Sequence, residues 1–317
     1  MFGAMIPPFK RYPLAIRVLL MFSMFLFNMS VISYLAILLA QQLFGIEDAQ
    51  QILEGTFNSG NDLNAFLFIQ GFTSILGFAL TSMMVAVLES GEFINHLRVK
   101  MVPSIQMVLL AIVAIITAQF FIDFLVKINQ LIPIPEALSG LKEMQKNAEK
   151  LTNAMMNFTS VGQLFIVSIV VAVIPAIVEE FFFRGLLLGD LLKAKIRPAL
   201  AIPVTGFIFA LIHFEFDNML AIWALGSFLG YLYYVSGSLW LPIAAHFVNN
   251  FFAVLIKYLI NVGVISSELA NSETPLYITL LSFVFFGGTI YLFNKWRNKP
   301  NFIEEEEVLD DSMHQTD

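Results

Sequence analysis

Long apolar runs, broken by short polar connections, set the pattern of this chain. Eight are read, at about 18–40, 65–88, 104–126, 159–180, 199–214, 219–236, 243–260 and 275–294. Apart from the short fifth run, each approaches the ~20 apolar residues that cross a bilayer's ~30 Å hydrocarbon core. Backbone polar groups in lipid must be satisfied within the spanning element, and these runs are too long for tilted barrel strands. The pattern therefore predicts α-helices. The fourth helix is expected to continue through a charged stretch to Leu192.

Between the third and fourth runs the periodicity changes. Leu138, Leu141, Met144, Ala148, Leu151 and Met155 recur at three- and four-residue spacing among lysines and glutamates. That pattern predicts an amphipathic helix lying on the membrane surface. The expected fold is all-α: a polytopic helical membrane protein of about eight transmembrane helices with one surface helix. Three regions are expected: an N-terminal membrane region (1–158), a second membrane region (159–294) and an acidic, disordered tail (295–317).

Composition supports that picture and closes off others. Of 317 residues, 58% are hydrophobic and 13% charged, too few charges to cover the surface of a soluble domain. There is no cysteine, which excludes disulfides, thiolate metal sites and cysteine nucleophiles. The net charge of −7 belongs to the tail, where Glu304 to Glu307, Asp310, Asp311 and Asp317 meet no lysine or arginine. The basic residues elsewhere are few and scattered, so nucleic acid is not an expected partner. Lys10, Arg11 and Arg17 precede an apolar run too long for the core of a cleaved signal peptide, which reads as a retained first span.

The loop charges orient the bundle. With the N-terminus inside, Lys10, Arg11, Arg17, Arg98, Lys100, Lys193, Lys195, Arg197, Lys295, Arg297 and Lys299 fall on the inner side. Lys127, Lys142, Lys146, Lys150 and Lys257 fall outside. The positive-inside bias predicts both termini in the cytoplasm.

The candidate chemistry is concentrated in the second half. Glu179, Glu180 and Arg184 interrupt an otherwise uncharged stretch, and His213, His246 and Asn250 lie in apolar segments. Ionisable groups at membrane depth cost about 2.5–3.5 kcal/mol each and mark functional interiors. Glu180 and Arg184, four residues apart, share a helix face and are read as a structural ion pair. Glu179 points about 100° away and is left for chemistry. Phe209 stands one turn before His213, and His246 and Asn250 likewise share a face. The third span offers only Asp123, near an interface, read as solvated or paired. His96 and His314 read as surface residues.

Such a set can activate water with a carboxylate and an imidazole and stabilise an oxyanion with N–H donors. The same residues can also form a two-histidine, one-carboxylate zinc site with an open position for water. A third reading needs no catalysis: the cluster pairs helices, or lines a path, in an immunity or scaffold protein or a small-molecule carrier.

Three motifs in order, Glu179-Glu180-x-x-x-Arg184, Phe209-x-x-x-His213 and His246-x-x-x-Asn250, resemble those of the CPBP family. That family includes the CAAX prenyl proteases and bacteriocin-processing or immunity-associated proteins. The resemblance covers about 164–260 and implies that 159–294 is a catalytic membrane core. It implies an intramembrane endopeptidase with a cavity open to the cytoplasm, acting on membrane-associated proteins or peptides. By motif position, Glu179 activates water with His213 as its partner. Glu180, Arg184 and Phe209 support the site, and His246 and Asn250 hold the oxyanion. If a zinc ion is used, Glu179, His213 and His246 are its ligands; a metal-independent glutamate mechanism is the reading adopted. The signatures HExxH, GxSG and GxGD of other membrane proteases are absent.

Overall fold

A computed structural model describes residues 8–57, 59–90, 97–132, 139–270 and 272–297 of the chain. His96, His314 and the acidic tail lie outside the described residues. Within them the secondary structure is helical, with no strand. Nine helices carry the fold: α1 (Leu14–Phe44), α2 (Gly60–Ser90), α3 (Ile105–Gln130), α4 (Ser139–Met155), α5 (Val161–Lys193), α6 (Pro198–Ile212), α7 (Met219–Ser236), α8 (Trp240–Asn261) and α9 (Leu276–Trp296). Seven of them are long and apolar enough to cross a membrane. The fifth predicted run is α6, whose 15 residues reach roughly 22 Å, short of the ~30 Å core. The amphipathic stretch forms α4.

Local chemistry sets the helix ends. Ser104 and Ser160 cap α3 and α5 by accepting from the backbone N–H of Met107 and Gln163. Pro198 opens α6, where its missing N–H costs nothing. Gly45 and Gly237 close α1 and α7 with left-handed backbone, φ 67° and 65°.

Helices α1 and α2 pair along their length and pack on the middle of α5 through phenylalanines. Phe182 is fully buried, with ring centroids 4.8 Å from Phe25, 5.5 Å from Phe22 and 5.8 Å from Phe78. Packing therefore runs without a break from the N-terminal region into the motif-bearing helices. Two polar pairs join these helices: Arg17 pairs with Glu89 at 3.2 Å, and Asn28 donates to Thr81 at 2.9 Å. On the other side, α9 lies against α3, which also touches α7 and α8.

Helices α6 and α7 cross closely at two glycines. A Cβ on Gly206 would stand 2.7 Å from the backbone nitrogen of Ser227, and one on Gly226 would meet Phe209 at 3.0 Å. Small residues let membrane helices approach to backbone contact. This crossing sets where Phe209 and the Gly226 carbonyl lie, and both belong to the site.

Candidate functional site

The site is built on irregularities in α5. Its hydrogen bonding widens to the i→i+5 pattern twice, at Ile169–Val173 and at Phe181–Leu188, on either side of Glu179 and Glu180. Such widened turns recur at functional sites because they redirect side chains. Pro175 explains part of the first. It has no N–H to offer the carbonyl four residues back, that of Val171. Asn250 of α8 supplies the missing donor, with Nδ2 3.2 Å from the Val171 oxygen. The sequence shows the proline; it does not show which helix repairs it.

Glu180 is fully buried, and one oxygen carries its partners. Oε1 accepts from Arg184 Nη1 at 2.6 Å and from His246 Nδ1 at 2.8 Å; Oε2 is buried and accepts no bond within the described residues. Arg184, 1% exposed, also donates Nη2 to the Gly226 carbonyl at 2.7 Å and lies 4.8 Å over the ring of Phe209. Phe183 meets Phe209 edge-on at 5.1 Å. The predicted ion pair is present, and it is a four-way junction of α5, α6, α7 and α8. Each member of the pair is charge-compensated and also hydrogen-bonded to a third group, the setting in which buried charges are tolerated.

Glu179 faces elsewhere, as adjacent helical positions require. Its side chain is 15% exposed, and Oε2 has no hydrogen-bond partner within the described residues. The imidazole that comes directly to it is His246, with Nε2 4.0 Å from Oε2. His213 makes no ion-pair contact with Glu179 at this range. It sits at the C-cap of α6, not inside an apolar helix, and its Nδ1–H donates to the Phe209 carbonyl at 2.7 Å. His213 thus caps its own helix through Nδ1. The next residue, Phe214, has φ 54°. For a bulky aromatic this left-handed backbone costs roughly 1–2 kcal/mol.

Two residues that sequence reasoning passed over join the polar set. Gln119 of α3 donates to Asn249 Oδ1 at 3.2 Å, and Asn249 donates to Asn250 Oδ1 at 3.2 Å. Asn250's carboxamide is thereby oriented with its oxygen accepting and its Nδ2 turned to Val171. A carboxamide amid apolar residues is the available signal, and Gln119 lies in a span that otherwise reads as apolar. Asp123, further along α3, pairs with Lys127 at 3.0 Å.

A zinc site at Glu179, His213 and His246 is testable by geometry. Both imidazoles have Nδ1 engaged, by Glu180 and by the Phe209 carbonyl, which leaves Nε2 as the nitrogen a metal would take. Metal-ligating histidines are held in the same way. Within the described residues, however, no three imidazole and carboxylate groups stand close enough to share one ion. The donor types fit and their convergence does not.

Fold and site together define a polytopic helical membrane protein with a buried glutamate–arginine–histidine centre. Comparisons agree: residues 161–252 match the family described as "Type II CAAX prenyl endopeptidase Rce1-like". A Bacillus subtilis (strain 168) protein named "Putative membrane peptidase YdiL" is 29% identical over 106 residues, 33% of this chain and 42% of that protein. The chain thus spans less than half of that relative's length. No solved structure matches. The CPBP resemblance read from the three motifs is borne out over the stretch that carries them.

Proposed function

We propose that the chain is an intramembrane endopeptidase that cleaves membrane-associated protein or peptide substrates near the cytoplasmic face. The observation that carries this reading is the split between adjacent carboxylates: Glu180 is occupied by Arg184 and His246, while Glu179 keeps a buried oxygen that has no hydrogen bond among the described residues and only His246 Nε2 at 4.0 Å. A carboxylate oxygen without a hydrogen bond at membrane depth is costly, and a general base is a use that justifies the cost. The family match supports peptide hydrolysis, and the positive-inside bias supports the cytoplasmic side.

In this mechanism Glu179 Oε2 takes a proton from water, and the His213 imidazole accepts the water's other hydrogen bond through Nε2. The resulting hydroxide attacks the substrate carbonyl carbon. The Nε2–H of His246 and the second N–H of Asn250 Nδ2 then meet the oxyanion, each such donor contributing about 10²–10³-fold. Collapse breaks the C–N bond, and Glu179 returns its proton to the leaving amine. Were zinc bound by Glu179, His213 and His246, it would polarise the water and the carbonyl; none of these steps depends on it.

The test compares peptide termini in host membranes carrying wild-type protein or Glu179→Gln. Termini that vanish with Glu179→Gln, at equal protein abundance, support the reading. Termini or a cell phenotype that survive loss of Glu179, His213 and His246 together contradict it and favour the scaffold or carrier class.

A further inference from the structure

The segment Phe214 to Asn218 joins α6, whose 15 residues reach roughly 22 Å, to α7. Where such a turn meets lipid, its backbone groups have to be satisfied by protein. Two carboxamides do this, and both come from outside the stretch that matches the peptidase family. Asn129, at the end of α3 and 9% exposed, donates Nδ2 to the Phe216 carbonyl at 2.7 Å. Its Oδ1 accepts from the Leu220 N–H, also at 2.7 Å, so one side chain bridges the two sides of the turn. Gln145 of α4, 3% exposed, accepts from the Asp217 N–H at 3.2 Å and donates to Asp217 Oδ2 at 2.7 Å. It also donates to Glu149 of its own helix at 2.7 Å.

We infer that Asn129 and Gln145 are positioning residues for His213, an inference that rests on the proposed role of His213 in the reaction. An uncharged carboxamide carries donor and acceptor on one plane and can hold N–H and C=O groups at once without placing a charge at membrane depth. Held at Phe216, Asp217 and Leu220, the turn keeps Phe214 in its left-handed conformation, φ 54°. Phe214 follows His213 directly, so its backbone fixes the direction of the imidazole against the Phe209 carbonyl. Freed from the clamp, Phe214 relaxes to negative φ, and His213 Nε2 leaves the site. The N-terminal region thus acts on the motif-bearing helices through two amides.

The clamp can be read without turnover. Full-length protein in nanodiscs is treated with diethyl pyrocarbonate, and carbethoxylation of each histidine is followed by peptide mass spectrometry. Asn129→Leu is expected to speed labelling of His213 about tenfold, the effect of losing hydrogen bonds that hold a loop closed. Gln145→Leu does so less, and His246 keeps its rate in both. Asn129→Asp retains the acceptor for Leu220 and loses the donor to Phe216; it keeps the test usable if the leucine variant does not accumulate. Adding Phe214→Asn, a residue that tolerates left-handed backbone, slows the labelling again. Unchanged His213 labelling in both Asn129→Asp and Gln145→Leu overturns the inference. So does an equal rise at His246 with a fall in Tm, which signals general loosening. On any cleavage shown to depend on Glu179, Asn129→Asp lowers kcat about tenfold or more with little change in KM, as displacement of a reacting group does. If wild-type protein shows no such cleavage, the peptidase reading fails and the labelling still decides the clamp.

Discussion

Two neighbouring carboxylates, Glu179 and Glu180, share a peptide bond and live in different surroundings. Glu180 is sealed at the meeting of four helices and shares one oxygen between a guanidinium and an imidazole. Glu179 stands at the edge of the same cluster, partly exposed, with an oxygen that nothing within the described residues hydrogen-bonds. Sequence alone makes them look like one acidic feature. The difference is one of surroundings: one acid is bonded into the structure, and the other is left available, as the proposed reaction requires.

Breaking the sealed half has the largest expected effect on folding. Arg184→Ala leaves Glu180 buried without its main counter-charge and is expected to cost about 3–5 kcal/mol, seen as loss of accumulated protein or a steep drop in Tm in detergent. The helix crossing beneath it comes next. Gly206→Val places new atoms against the Ser227 backbone, where nothing flexible can yield. It is expected to cost about 1–3 kcal/mol in thermal stability and to impair activity with it. Smaller again is Asn250→Leu, which leaves the Val171 carbonyl without its donor at about 1–3 kcal/mol, partly recovered by apolar packing; its loss of turnover should exceed its loss of stability. The mildest is Asn249→Ala, one step further from the site, expected to cost about 1 kcal/mol and a modest fall in kcat. A reversed order, with Asn249 outranking Arg184 in stability, would contradict the division between sealed and working halves.

Much of this was legible from local spacing. The apolar runs located the spans, because length and uniform hydrophobicity are read directly against bilayer thickness. The four-residue interval from Glu180 to Arg184 announced the ion pair, and the amphipathic period announced α4. What escaped was set by distance in the chain. The bond from His246 to Glu180 joins residues 66 apart, and no pattern within one helix encodes it. The widened turns of α5 were invisible for a related reason: apolar residues fit either hydrogen-bonding pattern, and only Pro175 hinted at a break. His213 was expected inside a helix that runs to about residue 214; the structure ends α6 at Ile212 and turns on Phe214, a backbone conformation that an aromatic residue does not advertise. Gln119 and Asn249 were passed over because a lone carboxamide in a span is ordinary until its partner is known.

The central claim is that Glu179 does the chemistry and Glu180 holds the structure. It is tested most directly by preparing Glu179→Gln and Glu180→Gln in parallel and measuring Tm and cleavage of the same membrane-derived substrate on each. Glu179→Gln is predicted to keep the wild-type Tm and lose about 10²–10⁴-fold in turnover. Glu180→Gln is predicted to lose stability first, its residual activity following the folded fraction. Full turnover in Glu179→Gln, or a stable Glu180→Gln that is selectively inactive, would contradict the account.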